Sequence, residues 1–76
     1  MRILSTFQDE DLTEGTRVGR YLVLRDIDGR RHALAASAVQ AACEEEDDVL
    51  LFLSGGRVLR VSLPLATVLA WLDGRG

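Results

Sequence analysis

The stretch that decides the fold is Val49-Leu50-Leu51-Phe52-Leu53-Ser54-Gly55-Gly56-Arg57-Val58-Leu59-Arg60-Val61. A Gly-Gly pair stands between two apolar runs. That arrangement is a hairpin signal, because glycine accepts the positive φ of a tight turn. The first run is apolar at every position from Val49 to Leu53, which suggests a strand buried on both faces, or one covered by a helix or a second subunit. In the second, Leu59, Val61 and Leu63 alternate with Val58, Arg60 and Ser62, the period of a strand with two unlike faces.

The same signal occurs upstream. Asp28-Gly29 lies between Tyr21-Leu22-Val23-Leu24 and His32-Ala33-Leu34. A strand is expected from about Arg17 to Ile27, with Tyr21, Val23 and Arg25 on one face and Leu22 and Leu24 on the other. Both faces are partly apolar, so this strand reads as central. It returns through Arg31 to Leu34, by a tight turn at Asp28-Gly29 or by a type I turn carrying the glycine and followed by a bulge.

Residues 35–46 admit two readings. Their alanines favour a helix, but Glu44 to Asp48 would then sit at its C-terminus and oppose the dipole. The preferred reading is a single helical turn at Ala36-Ser37-Ala38, then a strand from Val39 to Glu45 with Val39, Ala41 and Cys43 on one face. This strand gives Asp48 to Leu53 a local partner across a tight acidic turn.

After Val61 the period changes to 3.6. Leu65, Val68, Leu69 and Leu72 fall at i, i+3, i+4 and i+7, predicting an amphipathic helix over 64–72. Pro64 suits a helix start and Gly74 a left-handed position after its end. The expected fold is mainly β (α+β): a small, bent antiparallel sheet of four or five strands with one C-terminal helix packed on it. Residues 20–74 form the single compact domain. Residues 1–19 are an arm, with Ile3, Leu4 and Phe7 in a short strand over 2–7 and an acidic loop over 8–15.

Size and charge limit the functional classes. Seventy-six residues make one domain, and a chain this short buries only about 60% of its unfolded surface. With one cysteine it forms no internal disulfide. Either its core is efficient or a second subunit completes it. The net charge of −3 is the wrong sign for a general nucleic-acid module. All nine basic residues are arginine. The start, Met1-Arg2-Ile3-Leu4-Ser5, lacks the apolar stretch of a secretory signal, and no run approaches the length of a membrane span. A cytoplasmic, reducing setting is the expectation.

Catalytic patterns are absent from the sequence. His32 is the single histidine, with Asp26 and Asp28 as its nearest candidate partners; it reads as a half-exposed strand residue. Cys43 precedes Glu44 and Glu45, the wrong neighbours for a nucleophilic thiolate, and reads as a buried structural residue. Zinc needs about four nitrogen or sulfur ligands. The run Glu44-Glu45-Glu46-Asp47-Asp48 lacks the alternation and glycine of a calcium loop. Ser54-Gly55-Gly56-Arg57 feeds a strand, whereas a phosphate loop feeds a helix N-terminus. No enzyme activity, cofactor or metal is expected.

From Leu22 to Leu72 the chain resembles the FlbD-like family, small bacterial proteins encoded among flagellar genes. The shared features are the strand ending at Asp28-Gly29, the apolar return to Ala38-Val39 and the acidic segment Glu44 to Asp48. Val49 to Leu53, Gly55-Gly56, Val58 to Val61 and the closing helix complete the pattern. The arm before residue 20 and the Leu63-Pro64-Leu65 helix entry depart from it. The resemblance implies a regulatory or accessory role and no catalytic residues.

The functional expectation is therefore a non-catalytic accessory or regulatory protein working through protein–protein contacts with an unidentified protein partner. A homodimer is also expected, because one helix shields one face of a sheet and not both. Val58, Arg60 and Trp71 are its candidate interface residues, although Trp71, which lies off the leucine stripe, reads first as a large core wedge and second as an exposed aromatic for a partner. Either the strand from Arg57 to Ser62 pairs with its symmetry mate, or two helices pack through Trp71 and Thr67. The alternative is a nucleic-acid-binding regulator. Arg25, Arg30, Arg31, Arg57 and Arg60 all lie near the glycine turns and form a positive patch if those turns lie side by side.

Overall fold

The computed structural model describes residues 9–74. Within them the chain is α+β, with six strands and one C-terminal helix. The strands are β1 (Arg17–Val18), β2 (Tyr21–Arg25), β3 (Arg31–Ala35), β4 (Val39–Glu45), β5 (Asp48–Leu53) and β6 (Val58–Val61). The helix α1 spans Leu65–Leu72. The strands divide into two antiparallel three-stranded sheets, β1-β2-β3 and β4-β5-β6. The expected mainly β class with a closing helix is what the structure has, distributed over two sheets. The arm strand expected over residues 2–7 lies outside the described residues.

Two hairpins of one design build the sheets. Asp26 N–H donates to the Arg30 carbonyl and Gly29 N–H to the Asp26 carbonyl, both at 2.9 Å. In the second, Leu53 N–H donates to Arg57 (2.8 Å) and Gly56 N–H to Leu53 (3.3 Å). Gly29 (φ +87°) and Gly56 (φ +81°) hold the same place in the two turns. The residue before each differs. Asp28 keeps a negative φ, whereas Gly55 takes φ +85°, as the third residue of a type II turn must. That is why one turn needs a single glycine and the other needs two.

The alternation of β2, β3, β5 and β6 then aims one face of each hairpin at a common core. Leu22, Leu24 and Leu34 come from the first sheet, Val49, Leu51, Leu59 and Val61 from the second, and Val68 from the helix. Each such side chain contributes about 1.5–3 kcal/mol on full burial. The sheets also meet at the backbone, where Ile27 N–H donates to the Arg60 carbonyl (3.1 Å).

Three expectations need correction. The strand expected from Arg17 to Ile27 is a hairpin. It turns at Gly19-Arg20, with Val18 paired to Tyr21, and Gly19 (φ +60°) takes the first loop position. Its outer arm bulges beyond β1, because Gly15 and Thr16 both bond Val23. The second correction concerns β4. It forms as expected after a 3-10 turn at Ala36–Ala38, but a bulge falls between Val39 and Ala41. The extra residue reverses the alternation, so Val39 and Ala42 pack on the core while Ala41 and Cys43 point outward. Cys43 is therefore exposed, not a buried structural cysteine.

The third correction concerns the helix. Val68 is fully buried, but Leu69 is 50% exposed and Trp71 packs inward in its place. Trp71 lies on the backbone of Gly15. A Cβ added there would stand 2.9 Å from the indole. The Arg17 guanidinium donates to the Trp71 carbonyl, giving the C-terminal turn of α1 both a charge and a donor. Gly74 takes the expected left-handed conformation after the helix, at φ +83°.

Candidate protein-contact surface

The hairpin geometry sets two turns side by side. Because Ile27 bonds the backbone of β6, the loop between β2 and β3 lies against the loop between β5 and β6. The two enclose a cleft of about 320 Å3. Arg30 and Arg57 stand on it, Leu53 and Leu59 contribute its apolar wall, and Asp26 and His32 lie at one side. A larger, open depression of about 640 Å3 follows the solvent side of α1, past Ala66, Leu69 and Ala70. Among the described residues its lining is apolar apart from Asp73.

The single histidine has the partner its sequence position suggests. His32 Nε2 donates to Asp26 Oδ2 at 2.7 Å. Asp26 Oδ1 accepts the N–H groups of Asp28 and Arg30, both at 2.9 Å. These bonds, that from His32 foremost, hold the Asp26 carboxyl below the ordinary carboxylate range against an opposing burial effect. Every oxygen of Asp26 is thus engaged in closing the turn. Among the described residues, no serine, threonine or cysteine lines this cleft. The His32–Asp26 pair fixes the loop.

The five candidate nucleic-acid arginines separate into three groups. Arg31 reaches back to Asp9, with contacts of 2.9 and 2.8 Å to the two carboxylate oxygens, and to the Asp9 and Leu12 carbonyls. Arg60 is held by Glu45 at 2.6 Å and Asp48 at 3.2 Å. Those two carboxylates, Glu45 first, raise its pKa further. Arg25 donates to the Gly29 carbonyl at 2.8 Å. Only Arg30 and Arg57 share the cleft with no side-chain partner among the described residues. Asp28 stands beside them, so the patch is smaller than five arginines suggest.

The candidate interface residues also separate. Trp71 belongs to the helix packing against Gly15. Val58 and Arg60 lie on the outer face of sheet β4-β5-β6, away from the core. Register places Phe52 opposite Val58 and Ala41, and Leu50 opposite Arg60 and Cys43. Phe52 is 38% exposed, Val58 54%, and Ile27 beside the cleft 53%. Phe52 and Ile27 were not singled out in sequence. The continuous run Val49 to Leu53 was the available signal for Phe52, since one face of that strand had to remain outside a core covered by one helix.

Among the described residues, no three histidine, cysteine, aspartate or glutamate side chains come together as a metal-binding group. No helix among them is long and apolar enough to cross a membrane. No family model matches the chain, and no curated protein or solved structure is detectably similar to it.

Proposed function

We propose that this chain is a non-catalytic accessory or regulatory domain, cytoplasmic in setting, that works through protein–protein contact on the outer face of β4-β5-β6. The observation that supports this reading is the apolar surface formed by Leu50, Phe52 and Val58, with Ile27 at its margin. Scattered exposed apolar residues are ordinary on a protein surface; adjacent ones on a flat sheet face are characteristic of contact sites. Membership of the FlbD-like family is part of the same proposal, since that resemblance implies an accessory role. The test is covalent cross-linking in the source cell, comparing the native chain with Phe52→Glu. Loss of specific cross-linked products from a variant with an unchanged melting curve supports the reading. Identical products from both chains overturn it.

A second reading rests on one observation, the two guanidiniums of Arg30 and Arg57 on a shared cleft. In this reading the domain is a nucleic-acid-binding regulator. Its affinity for duplex DNA or single-stranded RNA must then fall steeply with salt. Replacing Arg30 and Arg57 together by glutamate must abolish binding while the fold persists. Salt-independent binding, or none, removes this reading.

A further inference from the structure

Val23 is 4% exposed, yet it stands outside the core cluster. The alternation of β2 aims it at the opposite face of the first sheet from Leu22 and Leu24. What crosses it there is the chain's own arm, which bonds the Val23 backbone through Gly15 and Thr16. Ahead of that contact, Asp9–Asp11 form one 3-10 turn, closed by Leu12 N–H on the Asp9 carbonyl (3.1 Å). Arg31, on β3, holds this turn as it would hold a bound peptide. Its guanidinium meets both carboxylate oxygens of Asp9, at 2.9 and 2.8 Å, and donates to the carbonyls of Asp9 and Leu12.

Three features set this contact apart from a fixed part of the core. The Asp9 side chain is 80% exposed, and ion pairs open to water hold weakly. The register puts Arg25 directly opposite Arg31, a like-charge pairing that destabilises the hairpin until a carboxylate joins it. Beside the turn a depression of about 340 Å3 remains between Leu12, Val23, Arg31, His32 and Ala33. The arm satisfies the charge and underfills the apolar ground next to it.

We propose that the outer face of β2-β3 is a docking site for an acidic turn that ends in an apolar side chain, and that the arm is its resident competitor. The partner is a protein segment with an acidic residue three positions before a large apolar one, the spacing of Asp9 and Leu12. This chemistry is read from the segment already seated there. A planar carboxylate suits the two-pronged Arg31 guanidinium, and an apolar group suits Val23 and Ala33. In cis the arm acts at an effective concentration on the order of millimolar. A partner displaces it by filling the depression that Leu12 leaves. This surface is separate from the outer face of β4-β5-β6, and the proposal does not depend on the reading of that face.

The experiment is a titration of the isotopically labelled full chain with a peptide of residues 9–14, acetylated and amidated at its ends. Binding is followed by the amide resonances of Val23, Arg31 and Ala33. The native chain is compared with Asp9→Asn and with Asp9→Lys combined with Leu12→Ser. Both opened chains should bind the peptide about tenfold or more tightly than the native chain does. Asp9 is exposed, so Asp9→Asn keeps the fold and decides the outcome where the double variant does not. Adding Arg31→Glu to Asp9→Asn should abolish binding, and a peptide with lysine in place of Asp9 should restore it. A peptide with phenylalanine in place of Leu12 should bind more tightly than the natural one. Equal affinity for native and opened chains overturns the proposal, because the arm then does not compete. So does a folded Asp9→Asn chain that binds no peptide, and so does binding that survives Arg31→Glu. A loss that the lysine peptide fails to restore overturns the assignment of Arg31 as the carboxylate receptor. Weaker binding of the phenylalanine peptide overturns the role of the depression.

Discussion

Gly15 and Gly29 show how unequal two glycines with nearly the same φ can be. Gly15 (φ +92°) has the Trp71 indole 2.9 Å from where its Cβ would stand, whereas Gly29 (φ +87°) faces open space. An alanine at either position meets the left-handed penalty of about 1–2 kcal/mol. At Gly15 it must also push the indole and the helix end away. Gly29→Ala should therefore lower stability by about 1 kcal/mol and Gly15→Ala by about 3 kcal/mol. Urea unfolding of the two variants checks this, and only Gly15→Ala should alter Trp71 fluorescence in the native state. Asp26 makes a second residue-scale case. Its carboxyl is held below the ordinary range by His32 and by two backbone N–H groups. The folded pKa is depressed, so this stabilisation is present above the unfolded carboxylate value of about 3.9 and disappears as pH falls through the folded value. Asp26→Asn should melt below the native chain at pH 7, with the gap closing below about pH 4. Thermal melts from pH 7 to pH 3 read both quantities; a constant gap would refute the assignment.

At the scale of elements, α1 and β4 have the expected extents; the helix packs Leu65, Val68 and Leu72 on the core as expected and departs at Leu69, whereas β4 reverses its alternation at the bulge. The helix has apolar residues around much of its circumference, so periodicity alone does not choose between Leu69 and Trp71 for the inner side. The arm chooses: Gly15 offers a flat backbone for a large ring, and the helix rotates to place Trp71 there. Val68 is fully buried and Leu69 is half exposed. Val68→Ala should cost about 2 kcal/mol, from lost transfer energy and the cavity left behind. Leu69→Ala should stay within about 0.5 kcal/mol of the native chain. Equal losses in denaturant titrations would mean that the helix faces the core as its leucine stripe suggests. In β4, the bulge near Gln40 frees Cys43 and turns Ala42 inward. Alanine-rich sequence carries little preference for which side is buried, so nothing local marks the bulge.

For the whole molecule, one core joins both sheets and the helix. Leu22, Leu34, Leu51, Val61 and Val68 belong to a single cluster, and the Ile27–Arg60 backbone bond links the hairpins. Neither sheet has a core of its own. Heat or urea should therefore unfold the chain in one transition, with Trp71 fluorescence and far-ultraviolet circular dichroism superimposing. Separate midpoints would show that the two hairpins are independent units. A chain ending before Pro64 should fail to fold, because removing Val68 and Trp71 uncovers both inner faces together.

Local sequence was enough to place the glycine turns at Asp28-Gly29 and Gly55-Gly56, the strands that flank them and the helix span, because these depend on local conformation; it did not place the turn at Gly19-Arg20 that splits β1 from β2. Gly29, Gly55 and Gly56 fix where the chain reverses. Pro64 and Gly74 bound the helix, and the run Val49 to Leu53 marks a strand with two apolar faces. It also placed Arg30 and Arg57 near the turns and named Asp26 as a partner for His32. Tertiary structure alone decided what each surface meets. The bulges at Gly15 and near Gln40, the inward turn of Trp71 and the capture of Arg31 by Asp9 and of Arg60 by Glu45 and Asp48 all depend on residues distant in sequence. A side chain's conformation is set by its own backbone, whereas its burial and its charge partner are set by whichever element packs against it.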